Sequence, residues 1–234
     1  MTTFATDTLP AAVLWDMDGT LVDTEPYWIE AEYALVERFG GRWSDELAHR
    51  LVGNALLVSA EIIIANSPVT LSPHEVVDEL MSAVVDRVRH HVPWRPGARE
   101  MLDEAVAKGV PNALVTMSWQ PLARAVADAL PGSPFAVLVT GDEVKHGKPH
   151  PEPYLRAAEL LEVPAADCLA LEDSPTGVRS ATAAGVPTIA IPHVVAIPPT
   201  PGAHQVRTLE GRSLSELAHL ARAAAAASVV PRQG

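Results

Sequence analysis

The 234-residue chain is 48% hydrophobic and carries a formal charge of −12, with no basic run along it. That apolar content sets it apart from disordered chains and supports either one domain with an insertion or two small domains. The acidity excludes a phosphate-gripping nucleic-acid surface and leaves a divalent cation or a small substrate as easier partners.

Cys168 is the single cysteine, so no intramolecular disulfide can form; it reads as a small apolar strand residue. The N-terminus lacks a basic segment followed by a long apolar one, and no uncharged apolar run approaches the ~18 residues of a membrane span. The expectation is a soluble, cytoplasmic protein, a monomer by default, that binds neither membrane nor nucleic acid.

In chain order, "AAVLW" (11–15) reads as a buried strand that runs straight into Asp16, Asp18, Gly19 and Thr20. Residues 24–92 then look helical almost throughout, in the stretches 25–40, 45–53, 58–67 and 72–92. Ser72-Pro73 with Glu75 forms an N-terminal capping box for the last of these. The segment is bounded by "VDTEP" and by "VPWRPG", whose prolines suit a domain edge. Beyond it, apolar runs at 112–117, 135–140, 168–172 and 187–191 alternate with helical patterns at 97–108, 120–129, 151–162 and 175–184. Runs apolar throughout suit strands covered on both faces, and strand–helix alternation predicts a parallel sheet with right-handed crossovers. A sixth strand at "HQVRTL" (204–209) and a final helix at 213–227 follow a proline-rich loop at 192–204. The predicted class is α/β, a Rossmann-like doubly wound parallel sheet (1–23 and 93–234) with an inserted all-helical cap (24–92).

Ligands of open α/β sheets bind beyond the carboxyl ends of the strands. There the sequence places Asp16 and Asp18 after the first run, Thr116 at the end of the second with Ser118 close behind, Lys148 after the third, and Glu172, Asp173 and Ser174 at and after the end of the fourth. If the strands are parallel, these groups meet on one edge. Gly19 permits a tight turn, and the Thr20 hydroxyl is expected to stabilise it.

These stretches resemble the haloacid dehalogenase-like superfamily, in particular its helical-cap phosphatases and sugar phosphomutases. "DMDGT" (16–20) is similar to the first motif and "LVT" ending at Thr116 to the second. Lys148 in "GKPHPEPY" is similar to the third; "LEDS" (171–174) with Gly177 is similar to the fourth. The resemblance covers about 12–195. It implies Asp16 as the nucleophile that becomes an aspartyl-phosphate, and Asp18 as the acid/base. It further implies Mg²⁺ on Asp16, Asp173 and the main-chain carbonyl of Asp18, with Glu172 outside that shell. Lys148, Thr116 and Ser118 would hold the phosphate of a small phosphorylated metabolite, Ser118 being equally placed to cap the following helix.

Several readings stay open beside these. Ser174 fits a helix cap, His90 and His91 fit the negative end of a helix, and His146 and His150 fit a polar loop. Trp43 and Trp94 read as packing residues; Trp28 and Trp119 either pack or wall the substrate pocket. Similar mutases carry a histidine where this chain has Trp28 and basic residues around the cap glycine, where "RLVGNALLV" (50–58) has Val52 and Leu56. Transfer to water is therefore expected rather than transfer to a second sugar hydroxyl. A β-phosphoglucomutase-type mutase is the alternative. A phosphoacceptor or ligand-binding protein without useful turnover is a third reading, which the Asp18 and cap pattern argues against.

Overall fold

The computed structural model describes residues 8–51 and 54–229. Val52 and Gly53, the centre of the cap-glycine stretch, lie outside the described residues.

Six parallel strands form one sheet: β1 (Val13–Trp15), β2 (Asn112–Val115), β3 (Val137–Val139), β4 (Leu169–Glu172), β5 (Thr188–Ala190) and β6 (Ala203–Gln205), in the order β3-β2-β1-β4-β5-β6. The register pairs Trp15 with Leu114 on one side and Leu171 on the other. Strand residues alternate between two apolar layers. Val13, Trp15, Leu114, Leu169 and Leu171 face one cluster, while Leu14, Ala113, Val115 and Ala170 face another. Both faces are covered, which is why the strands read as continuous apolar runs.

The helices α1 (Glu25–Arg38), α2 (Asp45–His49), α3 (Leu56–Asn66) and α4 (Pro73–His90) are inserted between β1 and the next unit. The core helices are α5 (Ala98–Ala107), α6 (Gln120–Asp128), α7 (Glu152–Leu160), α8 (Pro175–Ala183) and α9 (Leu214–Val229). α5, α6 and α9 pack on the first layer and α7 and α8 on the second. No helix among the described residues is long and apolar enough to cross a membrane.

The two chain crossings into and out of the insertion run side by side. Val22 and Trp94 form an antiparallel bridge. The Asp23 amide donates to Pro93 O at 2.8 Å, and the Arg95 amide donates to Leu21 O at 3.0 Å. The capping box of α4 is present, with Glu75 accepting from the Ser72 amide at 2.8 Å and Ser72 accepting from the Glu75 amide. Trp43 is buried and donates to Glu32 at 3.1 Å. Trp94 packs on the large cluster beneath the Arg99 guanidinium. His90 and His91 do end α4.

Three expectations change. The sixth strand begins at Ala203 and stops at Gln205, one residue earlier than expected at its start and four earlier at its end. Pairing continues only through the Val206 amide to Ala190 O. β5 is itself only three residues long, so it offers no partner for a longer edge strand. The Thr20 hydroxyl, expected to brace the turn, is buried without a hydrogen-bond partner. Main-chain bonds hold that turn instead, from Gly19 N to Val22 O (2.8 Å) and from Leu21 and Val22 N to Met17 O (2.9 and 3.0 Å). Ser118 does not cap α6: Trp119 is the N-cap residue and makes no side-chain cap. Asp142 takes the Gln120 amide at 3.1 Å from a neighbouring loop, which frees Ser118 to turn elsewhere.

Candidate active site

The sheet reverses its direction of winding at β1, since β2 and β3 lie to one side and β4, β5 and β6 to the other. A crevice opens beyond the carboxyl ends of the strands at such a point. Asp16 leaves β1 there with its amide tied to Leu171 O (3.0 Å), and Thr116 leaves β2 tied to Val139 O (2.9 Å). Asp173 follows β4 directly. Topology alone therefore gathers groups that lie about a hundred or more positions apart in sequence.

Lys148 is the hub on one side. Its buried ammonium donates to Asp16 Oδ1 (2.7 Å), Glu172 Oε1 (2.7 Å) and Val115 O (2.8 Å). Burial alone would lower its pKa, but Asp16 and Glu172 outweigh that effect and hold the ammonium above its ordinary range. The lysine is a fixed positive charge among carboxylates.

Asp16 and Asp18 sit in different surroundings. Asp16 Oδ2 is buried and has no hydrogen-bond partner, while its other oxygen is on Lys148. Asp18 is ringed by hydroxyls instead. Thr24 donates to Oδ1 (2.5 Å), and Thr116 (3.2 Å) and Ser118 (2.8 Å) donate to Oδ2. Burial raises the Asp18 pKa and Asp16 raises it further, against these hydroxyls, which lower it. The outcome is one carboxylate with an open oxygen and a second that favours its proton.

Oxygens of Asp16, Glu172 and Asp173 lie within 4.8 Å of one another. Burial, then Asp16 and Glu172, pushes the Asp173 carboxyl up to about 9. Three crowded acids of this kind are an oxygen-only donor set that suits Mg²⁺, and the buried, unpartnered Asp16 Oδ2 fits such a set. A glycine closes the cradle: Gly19 has φ +90°, and a Cβ there would fall 2.0 Å from Asp173 Oδ2. Glu172 is already fully engaged. Lys148 and Tyr154 (2.7 Å) donate to its Oε1 and Ser174 (3.3 Å) to its Oε2. It is raised by burial, with Lys148 opposing. That engagement suits a role beside the metal ligands rather than among them.

Thus Asp16, Asp18, Thr116, Ser118, Lys148, Glu172 and Asp173 are assembled at one edge. Ser174 caps α8 by accepting from the Gly177 amide at 3.1 Å. Trp28 and Trp119 are half-buried and packed on the large apolar cluster. Two site residues escaped the sequence reading. Tyr154 is wholly buried, and a buried tyrosine hydroxyl needs a partner, which was the available signal. Thr24 precedes α1 and reads as a helix cap, yet makes no cap hydrogen bond and serves Asp18 instead. Glu25, the first residue of α1, is pushed up to about 7 by burial and then by Asp18 and Asp23.

Comparison with known proteins agrees with this geometry. Residues 13–191 match the family model described as haloacid dehalogenase-like hydrolase. A phosphorylated carbohydrates phosphatase of Thermotoga maritima is 33% identical over 183 residues, covering 76% of this chain and 83% of that protein. Hexitol phosphatase A of Escherichia coli is 33% identical over 181 residues, covering 76% of this chain and 81% of that protein. A bifunctional riboflavin kinase/FMN phosphatase of Arabidopsis thaliana is 32% identical over 189 residues, and the match spans only 49% of its length. Among solved structures, CbbY from Rhodobacter sphaeroides in complex with phosphate superposes with a TM-score of 0.78 at 27% identity, covering 89% of this chain and 99% of that one.

Proposed function

The chain belongs to the haloacid dehalogenase-like hydrolases and is a phosphatase, and we propose that it hydrolyses the monoester of a small phosphorylated sugar or polyol through an aspartyl-phosphate on Asp16. The observation that carries this reading is the contrast between its two aspartates: Asp16 has a bare oxygen, and Asp18 is a buried acid held by hydroxyls.

In the proposed sequence a carboxylate oxygen of Asp16 attacks phosphorus and the ester P–O bond breaks. Asp18 gives its proton to the leaving oxygen, so that the alcohol departs neutral. Asp18 then takes a proton from water as that water attacks phosphorus and the bond to Asp16 breaks. Inorganic phosphate leaves and both aspartates return to their starting states. Splitting one displacement into two gives a carboxylate its place in the reaction. Lys148 holds Asp16 in place through its Oδ1 and opposes the phosphate charge. Thr116 and Ser118 orient Asp18 and are placed to donate to phosphate oxygens. Mg²⁺ would be held by Asp16, Asp173 and the Asp18 main-chain carbonyl, and when bound it neutralises charge on the transferring group. The insertion of residues 24–92 acts as a lid over this edge, excluding water and selecting the leaving group, with Trp28 and Trp119 as candidate pocket walls.

Hydrolysis is favoured over a mutase reaction by Trp28, which stands where similar mutases have histidine, and by the phosphatase relatives. A phosphate-release screen over sugar and polyol phosphates, nucleotides and small phosphorylated acids, with Mg²⁺ and then with chelator, tests the proposal. Sugar or polyol phosphates are expected to lead and chelation to abolish release. A nucleotide or FMN in first place would overturn the substrate class. Incubation with β-glucose 1-phosphate and a bisphosphate primer is expected to give no isomerisation; isomer formed without net phosphate release would establish the mutase reading.

A further inference from the structure

The loop from β3 to α7 carries a second group of metal-ligating side chains, separate from the acidic one. His146, His150 and Glu152 each offer a ligand atom, all within 4.8 Å of one another. The imidazole rings lie 4.6 Å apart at 36° to each other. Glu152, at the start of α7, is fixed in place because it accepts the Lys145 amide (2.7 Å) and the His146 amide (3.0 Å). Those bonds, with the His146 side chain, hold its carboxyl below its usual range, so it is an anion. Its partner His146 Nδ1, at 2.8 Å, therefore donates. His150 Nδ1 accepts the Glu152 amide at 3.2 Å and lies 4.0 Å from Glu152 Oε2.

We propose that His146, His150 and Glu152 form a binding site for a borderline divalent transition metal such as zinc, cobalt or nickel, distinct from the Mg²⁺ site. Two imidazoles and one carboxylate are a donor set that such ions take and that Mg²⁺, which prefers oxygen alone, leaves empty. The spacing fits. Ligand atoms bound tetrahedrally at zinc distances lie about 3.3 Å apart, and the present separations of 2.8 and 4.0 Å from Glu152 Oε2 bracket that value. Both histidines are exposed, so small ring rotations suffice and water can fill the fourth position. The ion takes the place of the hydrogen bond between His146 and Glu152, the Nδ1 proton passing to Nε2 of the same ring. The closed segment carries Lys148 at its centre, and the ion would therefore tie together the two ends of the loop that presents the ammonium to Asp16 and Glu172.

The test uses untagged full-length protein saturated with Mg²⁺, titrated with Co²⁺ and Zn²⁺ by calorimetry and by visible absorption of the Co²⁺ form. One ion per chain is expected beyond the Mg²⁺ site. Affinity is expected to fall by about tenfold or more in His146→Ala and in His150→Ala. Melting temperatures in Mg²⁺ alone verify that both variants fold. No binding beyond what Mg²⁺ competes away, or equal affinity in wild type and both variants, would overturn the site. Neither result bears on phosphate release, so the proposal stands or falls apart from the catalytic reading.

Discussion

At the residue scale, the site depends on giving two similar carboxylates different environments. Asp18→Asn keeps the shape and the hydroxyl partners but removes the transferable proton. Phosphate release is expected to fall by about 10²–10⁴, measured at saturating Mg²⁺ with a substrate whose leaving group is a poor one. Tyr154 supports the site from behind. Its hydroxyl donates to a fully buried Glu172, and a bond to a charged acceptor contributes about 1.5–3 kcal/mol. Tyr154→Phe is expected to lower stability by that order in urea unfolding, with Lys148 left as the donor to Glu172 Oε1. The motif residues were legible in the sequence because each stands at or beyond the end of an apolar run. Tyr154 and Thr24 were not, because their roles exist only once distant elements meet. Tyr154 lies on the buried face of α7 with Ala157 and Ala158, where a tyrosine reads as a core aromatic. The Thr20 expectation failed for a related reason: a hydroxyl near a turn is only one of several ways to close it, and the main chain closes this one unaided.

At the element scale, two contacts are tight enough to be tested by one substitution each. The first turn of α8 lies against β4, and a Cβ on Gly177 would fall 1.9 Å from the Glu172 carboxylate. Glu172 is pinned by Lys148 and Tyr154 and has nowhere to go. Gly177→Ala is therefore expected to cost about 1–3 kcal/mol of stability, the usual range for overpacking, and to lower activity by displacing Lys148's partner. In the helical insertion, Glu32 is buried on α1 beside Trp43, and burial pushes its carboxyl up to about 7. The folded state thus binds this proton more tightly than the unfolded chain, whose carboxyl titrates near 4.5. Its contribution to stability is fully present at low pH and is lost as pH rises from about 4.5 through 7. Glu32→Gln keeps an acceptor for the Trp43 indole and removes the titration. Urea unfolding of the two proteins should nearly coincide at pH 4.5, with the variant more stable by about 1–3 kcal/mol at pH 8. The helices were legible from their helical pattern and, for α4, its capping box, and the first five strands from short apolar runs. The edge strand β6 was misplaced because a short half-exposed strand next to a proline-rich loop has neither continuous apolarity nor clean alternation.

At the scale of the whole molecule, the sheet brings acidic groups together into a set that could hold a cation. Asp16, Glu172 and Asp173 repel one another and desolvate together, and Lys148 alone offsets only part of that. Mg²⁺ should stabilise the native state by linkage, about 2.7 kcal/mol at a hundred times its dissociation constant. For a chain of this size each kcal/mol corresponds to ~2–4 °C in melting temperature. The shift should vanish in Asp173→Asn, read by calorimetric melting with and without Mg²⁺. The same assembly underlies the central claim, that Asp16 is the nucleophile of a Mg²⁺-dependent phosphatase. The most direct measurement is inorganic phosphate release by wild type and Asp16→Asn, in Mg²⁺, on the best sugar or polyol phosphate. Wild type should release phosphate steadily, and Asp16→Asn should be slower by at least about 10³ while remaining folded. Comparable release by the two proteins would contradict the account.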